Sequence, residues 1–283
     1  MSSLRKVSCR TIRDTVEKLF LSASTDLGKD VFGALKKAAS AEKSGLGRFA
    51  LDRIVENARV ARKEGLPICQ DTGMAVLFLE VGQNVVVTGG NLRDAVQEGV
   101  RRAYRKGRLR KSICDPISRA NTGDNTPAVI HTEIVPGSRI RIAAMPKGGG
   151  SENMSSVTML LPAAGVEGIR KLIVDRVREA GPNPCPPTIV GVGIGGTMEQ
   201  AAILAKKALL RPLGEKNRRD RRLAKLEIET LREINRLGIG PQGYGGRTTS
   251  LAVHVEMMPC HIASLPVAVN IQCHAARHKE AVI

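Results

Sequence analysis

Tryptophan is absent from the sequence, and with two tyrosines and four phenylalanines aromatic residues make up 2% of its 283 positions. Proteins that hold single-stranded nucleic acid stack bases on aromatic side chains, and this chain has few such platforms to offer. No run approaches the roughly 18 consecutive apolar residues of a membrane-spanning helix. The opening Met1-Ser2-Ser3-Leu4-Arg5-Lys6 has no apolar stretch behind it, which argues against a secretory signal. The expected compartment is therefore the cytoplasm, with no membrane partner. None of the six cysteines falls in a C-x-x-C pair, so zinc ribbons and thioredoxin-like redox motifs are disfavoured, and disulfides are not expected in that compartment. Internal repeats and low-complexity segments are also missing.

Positive charge is what the chain has in excess. Lysine and arginine number 44 against 27 acidic residues, a formal net charge of +17. Such a surface fits nucleic acid or an acidic protein. No zinc-finger or RNP-type motif accompanies the charge, so nucleic-acid binding is a remote reading. The densest basic run, Lys216-Asn217-Arg218-Arg219-Asp220-Arg221-Arg222, reads first as a solvated loop and helix start and second as a landing surface for an acidic partner. A hydrophobic content of 42% is enough to build a core.

The periodicity predicts an α+β (mixed α/β) chain, helical at the front and then a mixed sheet with helices, taken as one domain over residues 1–283. Ile12, Val16, Leu19 and Phe20 fall at helical spacing, as do Val31 and Leu35, and then Ile54, Ala58 and Ala61 before Gly65. Strands are expected at 75–81 and 85–88, with Asn91 capping a helix that Gly107 stops. Segments 127–135 and 138–145 alternate as a hairpin around Pro136-Gly137. Helices at 166–180, 197–210 and 223–237 follow, with strands at 188–192, 249–256 and 266–272, the last two around a turn at 258–261.

Four stretches carry possible chemistry. Leu66-Pro67-Ile68-Cys69-Gln70-Asp71-Thr72-Gly73 sets a thiol, an amide, a carboxylate and a hydroxyl together in a turn between a helical and a strand pattern. Lys147-Gly148-Gly149-Gly150-Ser151 is either a flexible turn or an anion cradle. Gly191-Val192-Gly193-Ile194-Gly195-Gly196 satisfies G-x-G-x-x-G between strand and helix, which would suit a dinucleotide-dependent oxidoreductase. No clear run of further βαβ units accompanies it, so close packing of strand and helix is favoured. Finally, Cys69, Cys185 and Cys273 each sit at a strand edge beside Pro, Gly or His, whereas Cys9, Cys114 and Cys260 lack one or more of those loop features. Three thiolates from distant loops are what an iron–sulfur cluster with one unligated iron needs, although from spacing alone buried or incidental thiols are the favoured reading.

Taken together, Pro67-Ile68-Cys69-Gln70-Asp71-Thr72-Gly73, Lys147-Gly148-Gly149-Gly150-Ser151-Glu152-Asn153, Cys185-Pro186-Pro187-Thr188 with the glycine run behind it, and His261-Ile262-Ala263-Ser264-Leu265-Pro266 through Cys273 closely resemble the iron–sulfur hydro-lyases. The resemblance is to the α subunit, or N-terminal half, of class I fumarate hydratase and L(+)-tartrate dehydratase. It implies a 4Fe-4S cluster on Cys69, Cys185 and Cys273, with the glycine run bringing backbone N–H groups close to it. It implies Asp71 as the catalytic acid/base and Gln70, Asp71, Arg110, Gly149 and His261 as contacts of a small dicarboxylate. A bidentate guanidinium suits such a substrate, and proton transfer calls for a positioned carboxyl group. Each of these residues also has a local alternative: Asp71 as a turn stabiliser, Arg110 as surface charge, His261 as a satisfied loop histidine. The chain stops at Ile283, shortly after the third cysteine, where one-piece members continue. A separate β subunit is therefore implied, in a homodimer of α or an α2β2 assembly. Fumarate and malate are the expected substrate pair, with L(+)-tartrate the alternative.

Overall fold

The computed structural model describes residues 4–215, 217 and 220–283. Lys216, Arg218 and Arg219 of the basic run lie outside the described residues. In chain order the elements are β1 (Arg5–Ser8), α1 (Cys9–Thr25), α2 (Lys29–Ala41), α3 (Gly45–Glu64), β2 (Met74–Gly82), β3 (Val85–Thr88), α4 (Leu92–Lys106), β4 (Val129–Val135), β5 (Ile140–Lys147), the single turn α5 (Gly149–Glu152), β6 (Ser156–Leu160), α6 (Gly165–Ala180), β7 (Thr188–Gly196), α7 (Met198–Ala208), α8 (Arg221–Arg236), β8 (Ser250–Cys260), β9 (Leu265–Gln272) and β10 (Lys279–Val282). This is the expected mixture of helices and mixed sheet. No described helix is long and apolar enough to cross a membrane.

The chain forms two compact units. The first holds residues 4–28, Ala58–Gly149 and Arg277–Ile283; the second holds Lys29–Asn57 and Gly150–Ala276. In the first, a four-stranded sheet in the order β10-β5-β2-β4 has β4 parallel to β2, while β5 runs antiparallel to β2 and to β10. Ala75, Leu77, Leu79, Ile140, Ile142 and Ala144 bury this sheet's inner side against Ile12, Val16 and Phe20 of α1 and Val96, Val100, Ala103 and Tyr104 of α4. Ser8 caps α1 by accepting the Thr11 N–H, and Asn91 caps α4 by accepting those of Arg93 and Asp94. That helix ends at Gly107 as the sequence predicts.

The expected hairpin at 127–145 does not form. β4 and β5 lie on opposite sides of β2, because this nearly continuous buried strand has both edges free to pair. The 136–139 link wraps the end of β2, where Gly82 donates to the Arg139 carbonyl at 2.8 Å and an added methyl would stand 2.6 Å from the Gly137 oxygen. β3 also leaves this sheet to pair in parallel with β1, a strand too short to read from periodicity.

The second unit has its own mixed sheet, β6-β9-β7-β8, in which β7 is parallel to β8 and antiparallel to β9. β8 continues through Cys260, so the turn falls at 261–264, later than the 258–261 stretch where it was expected, and β7 separates β8 from β9. Val190, Val192 and Ile194 face α6 and α8 in the main core. The alternate residues Gly191 and Gly193 face α7, where an added methyl would stand 2.1 Å from the Ala205 carbonyl oxygen and 2.0 Å from that of Ala201. The G-x-G-x-x-G run is therefore largely buried strand, not a phosphate-binding turn. Its glycines admit a helix backbone against the sheet, as the packing alternative holds. Gly195 and Gly196 similarly admit Met258 of β8, so close approach to α7 and β8 accounts for the glycines that the resemblance had assigned to a cluster.

Gly193→Ala should therefore lower stability by about 2–3 kcal/mol, since the α7 backbone must retreat. Gly33→Ala, at an exposed position in α2 with nothing within 4 Å of the new methyl, should raise it by about 0.5–1 kcal/mol. Thermal melts of the two variants check both signs.

Candidate active site

Within the first unit the Cys69–Gly73 turn is fixed by its backbone. Ile68 donates its N–H to the Ser24 carbonyl at 2.9 Å, anchoring the turn to the end of α1. Three consecutive carbonyls are then held by side chains from elsewhere in the unit. Arg277 Nη2 donates to the Asp71 carbonyl at 2.6 Å. The Tyr104 hydroxyl lies 2.9 Å from the carbonyls of both Thr72 and Gly73, and Asn125 Nδ2 donates to Gly73 at 3.2 Å. Burial pushes the Tyr104 phenol well above its ordinary pKa, so it stays a proton donor. Gly73 has φ +76°, and an added methyl would stand 2.7–2.9 Å from the Lys147 backbone. Only glycine fits there.

The result is an aimed carboxylate. Asp71 Oδ1 accepts the Gly73 N–H at 2.9 Å and Oδ2 accepts that of Gly149 at 2.8 Å. Each oxygen keeps a lone pair, and the residue is only half-buried, so the group can still meet a ligand. The first bond is the turn-stabilising role that the sequence offered as an alternative; the second ties the group to a different strand end. Gly149 thus directs its N–H at Asp71.

Thr72 Oγ1 donates to the Arg110 carbonyl at 2.7 Å, placing that residue beside the same turn. The Arg110 side chain is exposed and makes no ion pair among the described residues, leaving its fork free for a carboxylate. Gln70 is exposed and accepts from the Cys69 thiol at 3.4 Å. Cys69, Gln70, Asp71, Arg110 and Gly149 therefore all belong to the first unit, with the last three linked through the turn.

Cys185, Cys273 and His261 belong to the second unit. The Cys185 and Cys273 loops are joined there: His274 N donates to the Cys185 carbonyl at 3.3 Å, and His274 Nδ1 lies 2.9 Å from the same oxygen. Gln242, at φ +54°, holds the next carbonyl, that of Pro186, through its backbone at 2.8 Å and its side chain at 2.7 Å. His261 sits exposed in the β8–β9 turn, where Nδ1 accepts the Ala263 N–H at 3.2 Å. That leaves Nε2 as the proton-bearing nitrogen of the neutral ring.

The donor chemistry fits an iron–sulfur cluster. None of the six cysteines is in a disulfide; Cys185 is exposed and Cys69 and Cys273 half-buried, and the Cys185 and Cys273 loops are joined by hydrogen bonds. Among the described residues no three His, Cys, Asp or Glu side chains form a metal-binding group by themselves. Sequence reasoning missed Tyr104, Asn125, Gln242 and Arg277. Asn125 lies in the polar 121–127 loop and Gln242 in the glycine-dense loop, both visible as irregular segments. Tyr104 reads simply as one more apolar-face residue of α4, and Arg277 as one of many basic residues.

A family model described as fumarate hydratase (Fumerase) matches residues 13–282. A Methanocaldococcus jannaschii protein provisionally named L(+)-tartrate dehydratase subunit alpha is 43% identical over 272 residues, 94% of this chain and 95% of its own length. The L(+)-tartrate dehydratase subunit alpha of Escherichia coli strain UTI89 is 33% identical over 279 residues, 97% of this chain and 91% of its own. Its counterpart in strain K12 is 32% identical over the same 279 residues. The turn that aims Asp71 and the joined loops of Cys185 and Cys273 lie inside a match that spans nearly the whole sequence, and the chain belongs to the fumarate hydratase family of iron–sulfur hydro-lyases, on its α-subunit side.

Proposed function

We propose that this chain is the catalytic α subunit of a dehydratase acting on L(+)-tartrate, working in the cytoplasm with a β subunit. The fumarate–malate pair favoured by the sequence becomes the second reading: the family model carries the fumarate hydratase name, but the relatives reported above are named for tartrate. Their naming as α subunits supports the β partner, in either a homodimer of α or an α2β2 assembly. Residues 1–283 act as one catalytic domain in this reading.

The observation that carries the chemistry is the carboxylate of Asp71, held through both oxygens two residues after Cys69. Cys69, Cys185 and Cys273 would hold a 4Fe-4S cluster, which when bound supplies a Lewis acid for the leaving hydroxyl at its unligated iron. Asp71 takes the proton from the substrate carbon in dehydration and returns it in hydration, and its fixed orientation is what such a transfer needs. Arg110 clamps a substrate carboxylate with its free fork, and Gln70 donates its side-chain amide. Gly149 contacts substrate through its backbone while keeping Asp71 aligned. His261 donates from Nε2 to a substrate oxygen. A dicarboxylate carries two anionic groups, and this chain offers one clear guanidinium for them, so the β subunit supplies the other clamp and closes the site against water.

The chain, reconstituted anaerobically with iron and sulfide and mixed with its β subunit, should dehydrate L(+)-tartrate with a kcat/KM at least about tenfold above that for malate, a discrimination of about 1.4 kcal/mol. A preference for malate would favour the second reading. Full activity of the chain alone would contradict the two-subunit assembly.

Serine at Cys69, Cys185 or Cys273 should abolish the cluster's brown absorbance, whereas serine at Cys9, Cys114 or Cys260 should leave the iron content at about four per chain. Full iron in Cys185→Ser would overturn the ligand assignment.

A further inference from the structure

Arg277 is among the largest fully buried side chains of the protein, at 2% exposure. Of its donors, Nη2 reaches the Asp71 carbonyl, while Nε and Nη1 have no hydrogen-bond partner. No carboxylate pairs with it among the described residues. A buried guanidinium in that state is an expensive way to satisfy one backbone oxygen. The next two carbonyls of the same turn are held by the neutral donors Tyr104 and Asn125, so hydrogen bonding alone does not call for an arginine. What Arg277 adds is a planar, charged donor at the first carbonyl of the turn, the one that belongs to Asp71 itself. The adjoining strand β10 is fixed to the sheet through β5, and Lys279 is ion-paired with Asp26 at 3.2 Å. The guanidinium thus comes from the segment that leads into an anchored strand.

We propose that Arg277 is the positioning residue of the acid/base group: by gripping the Asp71 carbonyl from β10's leading segment, it fixes the direction in which the Asp71 carboxylate points. This rests on the reading of Asp71 as the proton-transferring residue. Arg277 touches no substrate atom in this role. Its removal leaves Asp71 bonded to Gly73 and Gly149 but free to tilt, because its carbonyl loses its only side-chain anchor among the described residues. Such a change affects the proton-transfer step and leaves substrate capture by Arg110 in place.

The test is a double-mutant cycle in the anaerobically reconstituted enzyme with its β subunit, using Asp71→Asn, Arg277→Met and the combination, each assayed for kcat, KM, cluster absorbance and melting temperature. Asp71→Asn should lower kcat by roughly 10²- to 10⁴-fold with the cluster retained. Arg277→Met should lower kcat by about 10²-fold, the scale of an ångström-sized misplacement, with KM within about threefold and the cluster intact. Added to Asp71→Asn, it should lower kcat no further, since the two residues act as a unit. Arg277→Lys, which keeps a charged donor, should recover at least about tenfold of the loss; if the methionine variant fails to fold, the same cycle run with lysine decides. An unchanged kcat in the Arg277 variants, or a loss that adds fully to that of Asp71→Asn, would overturn the positioning role while leaving Asp71 as the base. Near-normal turnover in Asp71→Asn would instead remove the reading of Asp71, and the role of Arg277 with it.

Discussion

The candidate site depends on one constraint: every carbonyl of residues 71–73 is tied to a side chain from elsewhere in the unit. Three successive carbonyls are held by donors from the C-terminal segment, from α4 and from the 121–127 loop, and both oxygens of the Asp71 carboxylate accept backbone N–H groups. A carboxylate on an unrestrained loop would sample many directions. One tied at five points pays its ordering entropy during folding, before substrate arrives. The first unit's core is arranged to make this possible. Tyr104 is packed on the buried side of α4 against Phe20, with ring centroids 6.3 Å apart, and only its hydroxyl emerges at the turn.

The second unit solves a different problem, bringing two thiols onto neighbouring loops. Hydrogen bonds from His274 to Cys185, and from Gln242 to Pro186, join three loops that are far apart in sequence. Beneath them, β7 carries glycine on one side and branched aliphatics on the other, so one strand packs against α7 at backbone distance and against α6 and α8 through side chains. The chemistry of a cluster enzyme needs such rigidity around its thiolates, because outer-shell hydrogen bonds orient the ligands and tune them.

Much of this was legible in the sequence. The helical periods of 12–20 and 31–35, the Asn91 cap and the Gly107 stop led to the right elements because each is a local signal. Strand partners were not legible: 127–145 looks like a hairpin when only neighbouring segments are weighed, yet β2 takes both β4 and β5 as neighbours. β1 and β10, each four residues long, are too short for an alternating pattern to stand out. Of the candidate site, Cys69 and Asp71 stand in a dense motif, and family resemblance marked Arg110 and Gly149. The residues that hold the carbonyls of the Asp71 turn could not be found this way, since Tyr104 and Arg277 reach it across 32 and 206 positions of sequence.

The most direct measurement is Mössbauer spectroscopy on the anaerobically reconstituted chain and β subunit, with and without L(+)-tartrate. If Cys69, Cys185 and Cys273 hold a cluster with one iron left for substrate, about a quarter of the iron signal should shift when tartrate is added, and the other three quarters should stay in place. A spectrum of four equivalent irons that does not respond to tartrate, malate or fumarate would contradict it.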